Sequence, residues 1–186
     1  MKVLDVITTA LTLIGRHNLV DFVTDPSNAL DEDAGEVIET LLYCFNAVED
    51  ELARKYIPLV AEEQMCSADM RFFYSGFQHF PLKIKRVSAD GKYIPFKVLA
   101  KYLETGAEKV TVEYEYAPSR KTMEDSSDYE SEVGEHLIAL GIASEYCIIN
   151  GEAEMADRWE KKYRDKLDEV QRKLPVCASI PPRRWV

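Results

Sequence analysis

Apolar residues recur at intervals of three and four in the first third of the chain, the spacing of a helix that buries one stripe of its surface. The first such stretch runs from Val3 to Ile14, and Gly15 ends it. A longer stretch begins near Leu30 and is ended or kinked by Pro58, because proline lacks the N–H that a helix interior needs. The residues between the two stretches, Asn18–Asn28, are predicted to form a loop.

Two more helical patterns occupy the last third of the chain. The residues from about Asp128 to Asn150 are apolar nearly all round, so we expect this helix at the centre of the fold. Asn150-Gly151 ends it, and the residues from Glu152 to Lys173 then carry one apolar stripe among alternating charges. These two segments are predicted to form an antiparallel helical hairpin.

Between the helical regions the apolar residues alternate, as they do in half-buried strands. Residues 82–87 and 93–98 are predicted to form a hairpin around the turn Ser88-Ala89-Asp90-Gly91. Residues 110–116 give the clearest alternation, and residues 72–77 are a weaker candidate for a fourth strand. We expect three or four strands, because a two-stranded hairpin alone is marginal in water.

These patterns predict an α+β protein that is mainly α. Its four-helix body would be formed by residues 1–64 and 124–175, with a small antiparallel β module inserted at residues 66–121. Residues 176–186 are expected to form an extended C-terminal arm, because Pro175 ends the last helix and Pro181-Pro182 favours extended geometry.

The net charge of −10 is distributed unevenly along the 186 residues. Residues 21–63 contain twelve acids and two basic residues, whereas residues 81–121 contain nine basic residues and five acids. The last fifteen residues contain four basic residues and no acid. Patches of opposite sign can orient contacts between subunits or partners, and the alternative is that each patch is a solvated surface.

The sequence contains no arrangement typical of catalysis or metal binding. The spacing Asp31-x-Asp33-x-Gly35 resembles the start of a calcium loop but lacks its remaining ligands. Glu113 and Glu115 share one face of a predicted strand, where we expect solvent exposure. We therefore expect no enzyme, metal ion or cofactor, and a hydrolase could arise only from acids that the fold brings together.

The predicted β module presents basic and aromatic residues together. We interpret it as a contact surface for a neighbouring subunit or another protein, and the residues expected to take part are Lys83, Lys85, Arg86, Lys92, Tyr93 and Lys97. The alternative is a DNA- or RNA-binding accessory protein that uses this module, against which the overall acidity argues.

The last residues of the sequence combine two prolines with arginine and tryptophan, which are frequent interface anchors. An extended arm of this kind loses little conformational entropy when it docks on a partner. Folding back onto its own body is the alternative. The residues of this segment are Ile180, Pro181, Pro182, Arg183, Arg184, Trp185 and Val186.

The order of elements resembles the head-to-tail connector proteins of tailed bacteriophages, of the adaptor or tail tubular protein A type. The resemblance rests on a first helix ending in Leu13-Ile14-Gly15, a long helix with Phe45-Asn46-Ala47-Val48 and Glu51-Leu52, Tyr56-x-Pro58, a β insert, and a helical hairpin over Tyr129–Leu174.

The resemblance implies a virion structural protein that forms a homo-oligomeric ring, typically dodecameric, between the portal protein and the tail or tail-nozzle proteins. It implies that double-stranded DNA passes through the ring during ejection without sequence-specific binding, and an acidic lining, for which Asp31–Glu39 is a candidate, would let it slide. The segment from Ile180 to Val186 would dock on the portal, and the β insert would face tail-side components or neighbouring subunits. The protein would be located in the virion neck, and in the host cytoplasm during assembly, with no membrane association.

Overall fold

The computed structural model describes residues 1–24, 32–129 and 133–173, with the side chains of Thr24, Glu32 and Asp33 excepted. The helices in this part of the chain are α1 (Val3–Leu13), α2 (His17–Thr24), α3 (Glu32–Glu51), α4 (Glu135–Ile149) and α5 (Ala153–Lys173). The strands are β1 (Leu59–Cys66), β2 (Arg71–Phe73), β3 (Pro81–Ala89), β4 (Lys92–Tyr93), β5 (Phe96–Val98), β6 (Tyr102–Thr105) and β7 (Lys109–Tyr116).

The described residues of the helical part form five helices, so the prediction of a four-helix body is wrong. The additional helix is α2, which occupies much of the stretch where the sequence predicts a loop. Leu19 and Val23, four residues apart, are each 8% exposed and pack into the helical core. Two buried apolar residues are too few to give a recognisable helical pattern, and tertiary packing stabilises this short helix.

Helix α4 lies at the centre of the helical part, as its all-round apolar sequence predicts. It packs against α1, α3 and α5. Gly141 lies where three helices meet, because a Cβ atom at this position would be 2.8 Å from Val48 Cγ1 and 3.1 Å from Tyr163 Cε2. The absence of a side chain at this one position lets the three helices pack closely.

Helix α3 ends in a turn of π-helix at Leu52–Tyr56, in which the Ile57 N–H donates to the Leu52 carbonyl at 2.7 Å. This turn contains one more residue than an α-helical turn would. Pro58 follows it, as the sequence predicts for the end of this helix, and β1 begins at the next residue.

The β part is larger than the small module predicted, with seven strands in two antiparallel sheets. One sheet has the order β1-β7-β3-β4 and the other has the order β2-β6-β5. The two sheets share an apolar core that is separate from the helical core, and its buried members are Phe72, Phe77, Val87, Leu103, Val110, Val112 and Tyr114. The β part therefore has a core of its own.

The strand predicted at residues 93–98 is divided between the two sheets. The turn at Asp90-Gly91 has positive φ at both residues, as a type I′ hairpin turn requires, and it pairs Ala89 with Lys92. Pro95 lacks an N–H and interrupts the following strand. As a result β4 stays in the first sheet and β5 joins the second.

Strand β1 was not predicted, and it begins at Leu59, inside the range assigned to the helical body. Its inward positions include Glu63, which breaks the apolar alternation that reveals a strand. The Glu63 carboxylate accepts hydrogen bonds from the Tyr114 hydroxyl and, at 2.9 Å, from the Gln78 N–H. A buried tyrosine thus provides the partner that an acid needs at this position. The expected arm at residues 176–186 lies outside the described residues.

Candidate interaction surfaces

The structure brings most of the basic residues singled out in the β module together. Lys83, Lys85 and Arg86 lie on β3, and Lys92 and Tyr93 lie on the adjacent β4, all with exposed side chains. Lys97 is also exposed but lies on β5, in the other sheet.

Ion pairs balance part of this positive surface. Lys85 Nζ lies 3.7 Å from Glu115 Oε1, and Arg86 Nε lies 3.5 Å from Glu113 Oε2. Arg86 also donates to the Tyr93 hydroxyl at 2.7 Å. The two glutamates therefore lie under basic side chains and are less exposed than expected. Among the described residues, Lys83, Lys92 and Lys97 have no carboxylate partner.

A buried polar network joins α3 to the segment that returns from β7 to the helices. The Glu49 carboxylate, on a residue 1% exposed, accepts hydrogen bonds at 2.6 Å from the Ser127 hydroxyl and at 3.0 Å from the Asp128 N–H. Asp128 forms an ion pair with Lys121 at 2.5 Å. Asn46 accepts from the Lys121 N–H at 2.7 Å and donates to its carbonyl at 3.2 Å. These contacts hold the returning segment firmly against α3.

The two acids of this network are not fully satisfied. Glu49 Oε2 and Asp128 Oδ2 are buried and have no hydrogen-bond partner among the described residues. Burial raises the pKa of Glu49 above its ordinary value, and the hydrogen bond from Ser127 opposes that increase only in part. The network therefore contains a carboxyl group that favours its protonated form more than an exposed glutamate does.

Two adjoining cavities form a groove along α5, which we call the Trp159 groove. One cavity, of about 380 Å³, lies between the end of α1, α4 and α5, and the other, of about 420 Å³, lies on α5 alone. Trp159, 9% exposed, lines both cavities, and its indole N–H has no acceptor among the described residues. The groove has a mainly basic rim of Arg158, Lys161 and Lys162, with Lys162 Nζ 4.2 Å from the centre of the indole ring. One acid, Asp165, also lines both cavities, and Lys166 and Glu169 line the first.

The solvent-facing side of α3 is acidic and includes one aromatic residue. Glu36, Glu39 and Tyr43 are exposed, Tyr43 to 59%, and we call these three residues the acidic face. No lysine or arginine occurs in α3. The acidic face therefore has no neutralising residue on its own helix.

Several large apolar side chains are exposed in both halves of the described structure. At the turn between α4 and α5, Ile148 and Ile149 are 57% and 52% exposed. In the β part, Phe73, Phe80 and Val98 are 51%, 67% and 60% exposed. Exposed apolar residues that cluster are typical of surfaces that contact other proteins.

From the sequence we singled out the β module, the arm and, as a candidate channel lining, Asp31–Glu39, which includes two residues of the acidic face. The Trp159 groove was missed because Trp159 fits the apolar stripe of an ordinary core-facing helix. The sequence feature that could have indicated the groove is the group Arg158, Lys161 and Lys162, which share one side of a helix at intervals of three and four. The arm residues from Ile180 to Val186 lie outside the described part of the chain.

Within the described residues, no three histidine, cysteine, aspartate or glutamate side chains are grouped as metal ligands would be. No helix in this part of the chain is long and apolar enough to cross a membrane.

Neither a scan against protein-family models nor a comparison with curated proteins finds a match for this chain. The resemblance to phage connector proteins therefore stays a prediction from the sequence.

Proposed function

We propose that this chain is a structural subunit of a phage head-to-tail connector, a ring that binds the portal protein and provides the platform for tail attachment while DNA passes through it. The ring would be dodecameric, as the sequence resemblance implies. The chain would act by binding other proteins and not by catalysis, and its place would be the neck of the virion.

The observation that carries the proposal is the combination of two separate cores with exposed apolar side chains in both halves. The helical part and the β part each bury their own apolar cluster. Each also exposes large apolar side chains, Ile148 in one and Val98 in the other. A connector needs one surface toward the head and another toward the tail, whereas an enzyme needs one concave site with convergent polar groups.

The buried network around Glu49 supports the same proposal. It ties the segment after β7 to α3 through hydrogen bonds from Ser127 and Asp128. A second link is the Tyr129 hydroxyl, which donates to the Ile57 carbonyl at 2.7 Å, next to the start of β1. The two segments that connect the helical part to the β part are therefore both held in place, as a rigid connector subunit requires.

Binding to portal-bearing capsids tests the proposal. The full chain is mixed with portal-bearing capsids, and decoration is measured by co-sedimentation and by electron microscopy with symmetry classification. We expect decoration at the portal vertex with twelvefold symmetry. Absence of the chain from that vertex would overturn the proposed function.

The assignment of the arm requires its own variant. Replacing Ile180–Val186 by a glycine-serine segment of equal length should leave a folded chain that no longer decorates the capsids. The matched control replaces Lys83 and Lys92 of the β module by alanine and should keep portal binding. Full binding by the arm variant would contradict the docking role of these residues.

A further inference from the structure

We propose that the Trp159 groove of one copy receives the acidic face of α3 from a second copy, so that copies of the chain join head to tail. This contact rests on the proposed function, because it supplies the interface between neighbouring subunits of the ring. The occupant is thus another molecule of the same chain, bound through charge complementarity.

Cations on the basic rim of the groove form no ion pairs with acids of their own helix, α5. Other cations of α5 are paired within the helix, for example Arg164 with Glu160 at 2.6 Å and Lys173 with Glu169 at 2.5 Å. Arg158 and Lys161 have no ion pair within the described residues. The two cavities are lined by four cations and two acids, Asp165 and Glu169, so the groove keeps an excess of positive charge in a protein of net charge −10.

The acidic face has the complementary property. Glu36 and Glu39 are exposed, and neither carboxylate has a basic partner within the described part of the chain. Tyr43 lies four residues beyond Glu39, on the same side of α3, and is 59% exposed. The acidic face therefore offers two carboxylates and one aromatic ring to a partner.

The spacing of the two surfaces matches in an antiparallel arrangement. Glu36 and Tyr43 are seven residues apart, as are Lys162 and Met155, and each pair spans about 10 Å because an α-helix rises 1.5 Å per residue. Antiparallel alignment places Glu36 opposite Lys162 and Tyr43 opposite Met155, which is 37% exposed. Glu39 then comes opposite Trp159, which Arg158 precedes in the sequence. The contact would thus place both carboxylates among the cations of the groove, beside one apolar pair.

The two surfaces belong to different helices, and both helices pack against α4. A contact between different surfaces on two copies is heterologous, so each copy keeps one free groove and one free acidic face after binding. Such contacts produce a closed ring when the rotation between copies closes, and a filament when it does not. This assignment places Glu36 and Glu39 between subunits and not on the wall of a channel.

Charge reversal on the two surfaces tests the contact. The variant Glu36→Lys with Glu39→Lys makes both surfaces positive, and the variant Arg158→Glu with Lys162→Glu makes both negative. Each variant alone should remain at the 21.3 kDa mass of the monomer, in sedimentation at low ionic strength and at concentrations where the wild type associates. An equal mixture of the two should associate again, because each copy then meets a neighbour of opposite sign.

The matched control for the Glu36→Lys, Glu39→Lys variant is Glu62→Lys with Glu108→Lys, which makes the same change in net charge at exposed positions of the β part. This control should associate like the wild type. Association of both charge-reversed variants alone, or failure of their mixture to associate, would overturn the proposed contact. A wild type that stays monomeric in solution and on portal-bearing capsids would also overturn it.

Decoration of portal-bearing capsids separates this inference from the proposed function. If the wild type and both charge-reversed variants decorate the portal equally, the contact is wrong and the connector function stands. If the wild type does not decorate the portal but the charge-swapped mixture still associates, the connector function is wrong and the contact stands.

Discussion

The Glu49 carboxylate accepts a hydrogen bond from the Ser127 hydroxyl at 2.6 Å, which joins two residues 78 positions apart. The whole β part lies between them in the sequence. The bond therefore links the end of α3 to the segment by which the chain re-enters the helical part, and it does so with an acid that is 1% exposed. The protonation of Glu49 consequently bears on how firmly the two halves are joined.

We expect Glu49→Gln to keep or increase the free energy of unfolding at pH 7, and Glu49→Ala to lower it by about 1–3 kcal/mol. The glutamine keeps an acceptor for Ser127 and Asp128 and removes a buried charge, whereas alanine leaves the Asp128 N–H without its acceptor. Urea unfolding of the two variants and the wild type measures both effects. Equal stability of the glutamine and alanine variants would contradict the role of this network.

The same group gives the protein a pH dependence. Burial raises the folded-state pKa of Glu49 above its ordinary value of 4.5. The folded state therefore holds this proton more tightly than the unfolded state, and the contribution of Glu49 to stability is lost as the pH rises from about 4.5 through the folded pKa. The difference in stability between Glu49→Gln and the wild type should thus change in favour of glutamine between pH 4 and pH 7. A difference that is independent of pH would contradict the raised pKa.

Replacing Tyr114 by phenylalanine should lower the free energy of unfolding by about 1.5–3 kcal/mol, because the Glu63 carboxylate loses a hydrogen bond from a buried hydroxyl. The matched control is Tyr116→Phe, two residues along the same strand. The Tyr116 ring stacks on His79 with 4.2 Å between ring centres, and its hydroxyl has no hydrogen-bond partner within the described residues. The control should change stability by less than about 0.5 kcal/mol. Similar losses in both variants would mean that the Glu63 contact is not important.

Gly141→Ala should destabilise the protein by about 1–3 kcal/mol, because the new Cβ would overlap Val48 and crowd Tyr163 where three helices meet. The control is Gly35→Ala in α3, where a Cβ would meet nothing within 4 Å. That variant should gain up to about 1 kcal/mol from the better helix propensity of alanine. Thermal unfolding distinguishes them, and a stabilising Gly141→Ala would contradict the close packing at α4.

Binding of DNA through the β module should be weak and sensitive to salt, because Lys85 and Arg86 are paired with glutamates. If Lys83, Lys92 and Lys97 each contacted a phosphate, affinity would fall roughly 40-fold between 50 and 200 mM salt. Fluorescence titration with single- and double-stranded DNA measures this. Tight binding at physiological salt, lost when these lysines are replaced by alanine but kept when the α5 groove cations are, would favour the nucleic-acid alternative over the connector.

The sequence predicts the parts of the fold in which burial follows a regular period. Helix α4 and strand β7 are confirmed because nearly every residue of the first and alternate residues of the second are apolar, although α4 begins at Glu135 and not near Asp128 as predicted. Strand β1 was not predicted because one of its inward positions is the acid Glu63. The hydrogen-bond partner that makes an acid acceptable there is Tyr114, which lies 51 positions away in the sequence. Helix α2 was not predicted because its stability comes from the packing of Leu19 and Val23 into the helical core. Helical propensity alone does not reveal such contacts.

The surfaces were less predictable than the core. The basic residues of the β module are visible in the sequence, but their pairing with Glu113 and Glu115 depends on the register between β3 and β7. The groove around Trp159 depends on how α1, α4 and α5 meet, which no local pattern encodes. Local sequence patterns identify each helix separately. A contact surface of this kind depends on how the helices are arranged in three dimensions.

The π-helical turn at Leu52–Tyr56 has a consequence for how the chain could vary. Each residue of an α-helix turns the chain by about 100°, so removing one residue from this turn would restore regular helix and rotate the point from which β1 departs. The orientation of the β part relative to the helices thus depends on one residue of helix length. Insertions or deletions at this turn would therefore redirect the β half of the molecule relative to the helices.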